Sequence, residues 1–302
     1  MKDFANRNLF YIKEMYTKKC KYSGRGCEID MHYVVCVKQV PDTSVVKLDP
    51  VTNTLDRSSA PSIINPYDAH AVEEAVRLKK QSGGKVTVVS MGPPMAVSTI
   101  KKCIELGADE GVLISDRAFA GSDTLATSYA LTQAIKKIAE KEPVDIIFAG
   151  KQAIDGDTAQ VGPGIARRLG IPVLAQVNQV EHFSAEEKMI RVRRKIEDGH
   201  EVVESKLPCL ITVEKEINEL TYAPLPNMIK AAKYNPIVWT TNDIEVDRSQ
   251  LGLKGSPTVV GKIFAPPKQS GGEKIQGTAD EVVNHVMDKL LNVHGLFAKG
   301  GV

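Results

Sequence analysis

Short apolar runs alternate with segments of helical periodicity between Met31 and Pro172. Four runs are apolar at almost every position, at residues 33–37, 86–90, 111–114 and 144–149. Such runs are typical of parallel strands that are buried on both faces. The segments between them have one apolar face and end in glycine signals. Strands that alternate with helices predict an α/β fold with a mostly parallel, doubly wound sheet.

The pattern changes after Pro172. Apolar stretches of strand character, separated by polar turns, cover residues 177–180, 190–193, 201–205 and 209–213. They predict an antiparallel addition to the sheet or an extension of it. From Tyr222 onward proline recurs and no helical period returns before Thr278, so this segment builds no core of its own. Two interpretations stay open: a long arm that docks on another subunit, or a flexible linker before a locally packed helix.

These changes divide the chain into three parts. Residues 1–30 lean basic, lack a clear period, and resemble neither a secretory signal nor a transit peptide. They predict a disordered tail or a start-site artefact, with a partner-binding arm as the alternative. Residues 31–222 predict the α/β domain. Residues 223–302 predict the C-terminal arm, which ends in a helix.

Two helix openings carry cap signals. The run Asn65-Pro66-Tyr67-Asp68 predicts an Asn cap, Pro at the first helical position and an acid at the third. The run Ser122-Asp123-Thr124 predicts the cap of a later helix. Both openings follow strand exits, so they border the edge of the sheet where ligands bind.

The residues that leave the strands are the first candidates for a site. Because the carboxyl ends of parallel strands share one edge of the sheet, their exit loops should meet there, and ligands lie outside that edge. The stretch 143–172 is the most informative, since it is typical of a strand, a loop rich in Gly and Asp, and a helix opening. The free N–H groups of such a helix can hold a phosphate. A nucleotide site is favoured, with an ordinary βα turn as the alternative.

Details of this stretch leave its helix start open. Asp157 and Gln160 have the spacing of a capping box, which starts the helix near Asp157. Pro163 instead indicates a later start with Gly162 as the cap, or a kink. The carboxylates of Asp155 and Asp157 would repel a phosphate, so they are expected to cap the helix or to accept hydrogen bonds from ribose hydroxyls. Neither the G-x-G-x-x-G spacing nor a Walker loop is present.

Composition narrows the function classes. The chain has 302 residues, of which 25% are charged, and its formal net charge is +2, so neither nucleic acid nor a membrane surface is indicated as a partner. No apolar stretch approaches the roughly 20 residues of a membrane-spanning helix. The five cysteines are scattered without a C-x-x-C pair, which argues against a metal site or a disulfide framework. Cys36 and Cys103 are interpreted as core residues. We expect a reducing compartment, the cytoplasm, with the mitochondrial matrix as the alternative.

Four motifs resemble the beta subunit of electron-transfer flavoprotein and occur in the order of that family. They are NPYDAHAVEEAVRLK, VSMGPP, AGKQAIDGDTAQVGPGIARRLGIP and TYAPLPNMIKA. The likeness covers Met31 to the C-terminus. It implies an adenine-nucleotide-hydrolase-like fold, an adenine nucleotide bound to this chain, and an alpha subunit that holds FAD. It also implies a heterodimer in which the C-terminal arm embraces the alpha subunit.

The resemblance also implies site residues. The nucleotide contacts would be Cys36, Asn65, Pro66, Tyr67, Asp68, Met91, Gly150, Lys151, Gln152, Ala153, Ile154, Asp155, Gly156, Asp157, Thr158, Ala159, Gln160 and Val161. Lys38, Gln39 and Lys151 either tune a flavin electronically or add positive charge beside a phosphate. Leu225 matches the leucine of the family's recognition loop, which plugs an apolar pocket on an acyl-CoA dehydrogenase. A buried turn leucine is the alternative.

Two branches of the family differ in what fills the beta site: AMP in the pure electron carriers, and a second FAD in the electron-bifurcating members. Residues 37–43 and 118–128 resemble the bifurcating branch. Hydroxyls, a helix cap and a helix N-terminus for additional phosphate or ribityl oxygens would come from Ser122, Asp123, Thr124 and Thr127. That branch implies NADH as the hydride donor, with ferredoxin and an acyl-CoA dehydrogenase-type flavoenzyme as electron acceptors. The exit loops contain no nucleophile, acid–base pair or metal cluster, which agrees with chemistry done by a bound cofactor.

Three alternatives remain open. A non-bifurcating electron carrier with a structural AMP stays within the family. An adenine-nucleotide sensor of the universal-stress type needs no redox partner. An ATP-pyrophosphatase-type ligase lacks its S-G-G-x-D-S loop here, because Ser82-Gly83-Gly84 precedes a strand and Ser270-Gly271-Gly272 lacks the acid. The last two leave the proline-rich arm unexplained.

Overall fold

The computed structural model describes residues 22–23, 26–27, 31–42, 47–48, 55–56, 61–259, 261 and 272–293. The extension predicted over residues 1–30 therefore lies almost wholly outside the described residues. The chain forms two compact units, Met1–Val260 and Gly261–Val302. The sheet and the candidate site belong to the first.

Most of the strands in the first unit belong to one mixed sheet. The strands are β1 (His32–Cys36), β2 (Gln39–Pro41), β3 (Ser62–Ile64), β4 (Lys85–Met91), β5 (Glu110–Ile114), β6 (Ile146–Gly150), β7 (Val173–Ser184), β8 (Met189–Ile196), β9 (Gly199–Lys206), β10 (Cys209–Val213) and β11 (Ile237–Trp239). The sheet has the order β9-β8-β7-β10-β6-β1-β4-β5-β11. β2 and β3 form a separate antiparallel pair. Two-residue strands pair Tyr22–Ser23 with Gly26–Cys27, and Lys47–Leu48 with Leu55–Asp56.

The sheet is mostly parallel, as the sequence predicts. All neighbours from β7 to β11 in the sheet order run parallel. β8 and β9 continue it as an antiparallel hairpin, which is the predicted addition. The run 209–213 does not belong to that addition, because β10 is a parallel strand between β6 and β7. In this register Cys36 lies beside Val89 and Ala149.

Helices cover both faces of the sheet. In the first unit they are α1 (Pro66–Ser82), α2 (Val97–Leu106), α3 (Thr124–Lys141), α4 (Val161–Leu169) and α5 (Leu225–Lys233), with 3₁₀ turns at Pro94–Ala96, Arg117–Phe119, Lys215–Ile217 and Arg248–Gln250. Side chains alternate along each strand. Tyr33 and Val35 therefore join the apolar layer of α1 and α2, whereas Val34 and Cys36 join that of α3 and α4. Packing on both faces holds the strand ends in register at the edge that carries the site.

The first unit continues to Val260, past the division at residue 222 that the sequence pattern suggests. α5 packs on α2, where Asn227 Nδ2 donates to the Glu105 carbonyl (3.2 Å). β11 adds an edge strand beside β5. Trp239 is buried, and the Lys137 ammonium lies 4.8 Å from its ring centroid. A three-residue strand is too short to show a period of two, so no sequence pattern indicates it.

The second unit contains α6 (Ala279–Asp288), followed by a π-helical turn at Lys289–Val293. A capping box begins α6: the Thr278 N–H donates to Glu281 Oε2 (2.8 Å), and the Glu281 N–H donates to Thr278 Oγ1 (3.5 Å). Val283 and Met287 are exposed on this helix. Within the described ranges, every helix is too short or too polar to span a bilayer.

Candidate functional site

The candidate site lies where the strand order reverses. From β1 the chain moves to β4 and β5 on one side, and β6 returns to the other side of β1. A crevice therefore opens between the loops that follow β1 and β6. In open α/β sheets, ligands bind outside the carboxyl ends of the strands at such a point.

The first turn of α1 bridges the two loops of this crevice. Asp68 accepts the backbone N–H of Lys38 at Oδ2 (2.8 Å) and that of Gly150 at Oδ1 (3.0 Å). The side chain is buried. Burial raises the pKa of Asp68 to about 7, although the two N–H donors oppose this rise. One carboxyl group thereby sets the separation between the ends of β1 and β6.

Asn65 holds the loop after β6 from the same turn. Its Nδ2 donates to the Gln152 carbonyl (2.9 Å), and its Oδ1 accepts the N–H of Ile154 (3.2 Å). The predicted helix opening is confirmed, with Asn65 at the cap position and Pro66 at the first helical position. The Asn65 side chain, however, makes no capping hydrogen bond. The Asn65 amide thus satisfies one backbone carbonyl and one backbone N–H of a loop whose polar groups are not paired in regular secondary structure.

The loop at residues 151–160 has a strained backbone. The N–H groups of Gly156 and Asp157 both donate to the Ala153 carbonyl (3.2 and 2.9 Å). Asp157 and Ala159 have φ angles of 49° and 54°. Left-handed backbone costs a residue with a side chain roughly 1–2 kcal/mol, and such strain clusters at binding sites. The backbone strain in this loop, which borders the crevice, therefore lowers the stability of the folded protein.

The capping-box interpretation of Asp157 is wrong. α4 begins at Val161, and Asp157 Oδ1 instead accepts from Gln152 Nε2 within the loop (2.8 Å). Gln160 takes the cap position without a side-chain capping bond. Positive φ at Asp157 and Ala159 keeps the segment out of the helix, and side-chain spacing does not reveal backbone angles.

The N-terminus of α4 carries no side-chain cap. Pro163 lies in its first turn, where a missing N–H costs no hydrogen bond. Gly162 and Gly164 allow close packing: a Cβ would lie 2.6 Å from Thr212 Cγ2 at Gly162, and 2.9 Å from Ser128 Oγ at Gly164. The helix end is thus held against the sheet edge, and no side chain among the described residues caps it. An anion can take that place.

Ala159→Gly is expected to stabilise the fold. Glycine adopts a φ near 54° without the steric clash of a Cβ, so the free energy of unfolding should rise by about 1 kcal/mol. Denaturant unfolding of the purified protein measures it. Thr158→Gly is the matched control, because Thr158 is not among the residues with positive φ, and glycine there should lower stability by about 0.5–1 kcal/mol. Equal shifts in the two variants would show that Ala159 is not strained.

Asp123 caps α3, as the sequence predicts. Its Oδ1 accepts the N–H groups of Leu125 (2.9 Å) and Ala126 (3.0 Å). Its Oδ2 accepts the N–H (3.2 Å) and the hydroxyl (2.7 Å) of Thr258. The Asp123 carboxylate therefore caps α3 and also binds the segment that contains Thr258.

The neighbouring hydroxyls differ in what they offer to a ligand. Ser122 Oγ donates to the Phe119 carbonyl (2.7 Å). Thr124 Oγ1 donates to Gln160 Oε1 (2.8 Å) and ties the N-termini of α3 and α4 together. Thr127 is partly exposed on the first turn of α3. The hydroxyls of Ser122 and Thr124 are thus both engaged inside the protein, and the two threonines lie at the junction of two helix ends.

Two lysines follow the strands that flank the crevice, and each pairs with a carboxylate. Lys38 Nζ lies 2.7 Å from Asp155 Oδ2. Lys151 Nζ lies 2.8 Å from Oε1 of the buried Glu214. The hydrogen bond that Lys151 donates to Glu214 raises the pKa of Lys151, so this ammonium group stays charged. An anion at the mouth of the crevice would compete with Asp155 for Lys38.

Cys36 and Met91 occupy the ends of β1 and β4. Cys36 is buried, and burial raises the pKa of its thiol to about 12. It is therefore a small neutral core residue, as predicted, and Cys103 is equally buried. Among the residues that the structure describes, no cluster of three or more His, Cys, Asp or Glu side chains is placed to hold a metal ion.

The Leu225 segment, residues 218–229, presents apolar side chains to solvent. Leu225 is the first residue of α5 and is 67% exposed. Met228 and Ile229 lie one turn later and are also exposed, as is Tyr222. The alternative of a buried turn leucine is therefore wrong. Large exposed apolar patches are typical of interaction sites.

Sequence patterns do not reveal several polar residues at the edge of the site. Glu214, Ser256 and Thr258 bond to residues far away in the chain, and Ser256 Oγ accepts the N–H of Asp123 (2.8 Å). None of them lies in a motif or on a periodic face. Only knowledge of which distant segments meet would identify them.

The sequence is similar to known proteins along most of its length. Residues 52–243 match the electron transfer flavoprotein domain family. Protein FixA of Azotobacter vinelandii is 52% identical over 248 residues, which cover 82% of this chain and 88% of that protein. Electron transfer flavoprotein subunit beta of Clostridium acetobutylicum is 48% identical over 264 residues, 87% of this chain and 99% of that protein. The caffeyl-CoA reductase-Etf complex subunit CarD of Acetobacterium woodii is 46% identical over 266 residues, with the same two coverages.

Proposed function

We propose that this chain, which belongs to the electron-transfer flavoprotein family as a beta subunit, holds FAD at the crevice between β1 and β6 and takes part in electron bifurcation from NADH. One observation supports the proposed nucleotide site. Asp68 and Asn65 clamp two exit loops at the switch point of the sheet, beside the uncapped N-terminus of α4. The proposed partners are an alpha subunit, an acyl-CoA dehydrogenase-type flavoenzyme and ferredoxin.

The crevice residues fit the adenosine phosphate that AMP and FAD share. The first turn of α4 offers N–H groups and partial positive charge to a phosphate. Gly156 has no atom within 4 Å of the place where a Cβ would stand, which leaves room for a ligand near the backbone. Asp155 and Asp157 are exposed on the same loop and would accept hydrogen bonds from ribose hydroxyls. Thr127 would donate to further phosphate or ribityl oxygens, and Thr124 would do so once its hydroxyl releases Gln160.

The protein's contribution is to bind and orient the nucleotide. A bound flavin would accept a hydride from NADH and pass on single electrons. Lys38 would place positive charge beside the phosphates once Asp155 releases it. The carboxyl group of Asp68 would keep the two loops at a fixed spacing. The Acetobacterium relative carries the name of a complex with caffeyl-CoA reductase, which supports a dehydrogenase-type partner here.

A structural AMP in a plain electron carrier is the second candidate, and one observation favours it. Ser122 and the Asp123 carboxylate are already engaged with the protein, so fewer groups remain for a second phosphate. Counting flavins in the purified two-chain complex decides between the two. Two FAD per heterodimer, bleached by NADH, support bifurcation. One FAD with one AMP, and no bleaching by NADH, refutes it.

Leu225→Ala is expected to weaken delivery of electrons to the dehydrogenase and to leave flavin content unchanged. Burial of a leucine in a partner pocket contributes about 1.5–3 kcal/mol, so the half-saturating concentration of the dehydrogenase should rise roughly 10- to 100-fold. Stopped-flow oxidation of the reduced complex measures it. Leu253→Ala is the matched control, because Leu253 is similarly exposed, at 64%, and lies outside the Leu225 segment. Equal half-saturating concentrations for wild type and Leu225→Ala would show that Leu225 does not dock on the dehydrogenase.

A further inference from the structure

The coil that leads into α5 is anchored on α1 through a buried carboxylate. Thr221 donates its N–H to Glu73 Oε2 (3.3 Å), and its hydroxyl lies 3.0 Å from each Glu73 oxygen. Residues 218–224 have no regular secondary structure. Side-chain bonds therefore replace a backbone ladder in fixing this part of the Leu225 segment.

A second anchor lies one turn away on the same helix. Asn218 Nδ2 donates to the His70 carbonyl (3.1 Å) and to Glu74 Oε2 (3.1 Å). The His70 ring nitrogen Nδ1 lies 2.8 Å from Asn218 Oδ1. The coil is thus attached to α1 at two points, Asn218 and Thr221, immediately before it exposes Tyr222 and Leu225.

Glu73 and its neighbour Glu74 differ in their partners: Glu74 forms an ion pair, whereas Glu73 accepts hydrogen bonds from Thr221. Both side chains are buried. Glu74 pairs with Arg77 (2.5 Å), whereas in the described part of the chain no lysine or arginine forms an ion pair with Glu73. A buried carboxylate needs hydrogen-bond donors, and charge-assisted bonds are the strong ones. Glu73 therefore binds Thr221 firmly, although it lies outside the nucleotide crevice and has no part in holding the cofactor.

The rest of α5 is fixed by other contacts, so Glu73 acts on its beginning. Asn227 and Lys101 connect α5 to α2: Asn227 Nδ2 donates to the Glu105 carbonyl (3.2 Å), and Lys101 Nζ donates to the Ala232 carbonyl (3.1 Å). Leu225 is the first residue of the helix. Its direction depends on the coil before it, and the described side-chain hydrogen bonds of Asn218 and Thr221 attach that coil to α1.

We propose that Glu73 is a positioning residue for partner recognition: by holding Thr221, it presents Leu225 to the dehydrogenase in one preformed orientation. The inference rests on the proposed docking function of the Leu225 segment. A segment that is rigid before binding loses less conformational entropy on association. Release of Thr221 should therefore weaken encounter with the partner and leave electron transfer within the formed complex intact.

The test uses Glu73→Gln and Thr221→Val in the assembled complex. Thr221 is exposed, and its variant removes the hydroxyl bond to Glu73 while it keeps the backbone N–H bond. Oxidation of the dithionite-reduced complex is followed at increasing concentrations of an acyl-CoA dehydrogenase from the same organism. The half-saturating concentration is expected to rise about tenfold in both variants, as for the loss of one charge-assisted hydrogen bond. The limiting rate and the flavin content should stay within twofold of wild type.

A second measurement reports the position of the coil without any partner. Chymotrypsin should cleave after Tyr222 several-fold faster in both variants. Thr132→Val is the matched control, because it removes a buried hydroxyl bond to the Ser128 carbonyl (2.6 Å) in α3, away from the Leu225 segment. It should change neither the half-saturating concentration nor the cleavage rate.

The outcomes separate the two claims. If Leu225→Ala weakens delivery while Glu73→Gln and Thr221→Val change neither delivery nor cleavage, the positioning role is overturned and docking by Leu225 stands. If Leu225→Ala itself has no effect, docking by this segment is wrong, and the inference about Glu73 is wrong with it.

Discussion

Gly150→Ala is expected to lower the free energy of unfolding by about 3 kcal/mol and to abolish nucleotide retention. A Cβ at Gly150 would lie 2.4 Å from Asp68 Oδ1, 2.6 Å from Tyr67 Cβ and 2.9 Å from the Tyr67 carbonyl carbon. The backbone of α1 cannot move away cheaply, because Asn65 and Asp68 fasten its first turn to both loops. Overpacking of this kind typically costs 1–3 kcal/mol or more. Denaturant unfolding and the nucleotide content of the purified complex measure the two effects.

Gly156→Ala, in the loop that follows β6, is the matched control. A Cβ at Gly156 meets no atom within 4 Å, and Gly156 is not among the glycines with positive φ. Its free energy of unfolding should stay within about 0.5 kcal/mol of wild type. If Gly150→Ala proved as stable as Gly156→Ala, the close approach of α1 to the end of β6 would be wrong.

The elements around the crevice follow from local patterns in the sequence. Continuous apolar runs predict buried parallel strands, and β1, β4, β5 and β6 all lie where such runs occur. The pair Asn65-Pro66 predicts the start of α1, because proline fixes φ and needs no partner for an N–H at that position. Parallel strands with helical connections then place the exit loops at one edge. These local patterns are therefore sufficient to predict where the crevice lies.

The contacts within the crevice do not follow from local patterns. A cap residue and an early acid predict bonds to the helix N-terminus, yet Asn65 and Asp68 bond to the loops after β1 and β6. Those partners lie 30 to 89 residues away in the chain, and tertiary packing decides which of them are met. The start of α4 is likewise decided by the backbone angles at Asp157 and Ala159, which residue type does not fix.

α1 is therefore the element on which the two proposed functions depend. Its first turn holds the two loops of the crevice through Asn65 and Asp68, and its next turns hold the Leu225 segment through Glu73 and Glu74. The helix has 17 residues, which corresponds to roughly 25 Å at the usual rise per residue. Variants at its first turn should alter nucleotide content, whereas variants at Glu73 should alter partner affinity alone.

Asp68→Ala is expected to destabilise the protein by roughly 2–5 kcal/mol, since it leaves the buried N–H groups of Lys38 and Gly150 without their acceptor. Asp68→Asn keeps the shape and one acceptor, so its loss should be smaller. The amide NH₂ of asparagine would face one of the two N–H donors, which prevents full recovery. Denaturant unfolding of both variants beside wild type measures these losses.

The loss in Asp68→Asn should depend on pH in a direction unusual for an aspartate. Burial raises the pKa of Asp68 from 3.8 to about 7 in the folded state, so between these values the folded protein holds a proton that the unfolded chain releases. The stability that this proton contributes is fully present below pH 3.8 and falls as pH rises toward 7, by at most about 1.4 kcal/mol per pH unit. Because asparagine does not titrate, the difference between wild type and variant should be larger at pH 5 than at pH 8. A difference that stays constant, or grows with pH, would mean that the two backbone N–H groups outweigh burial and that Asp68 is an ordinary ionised carboxylate.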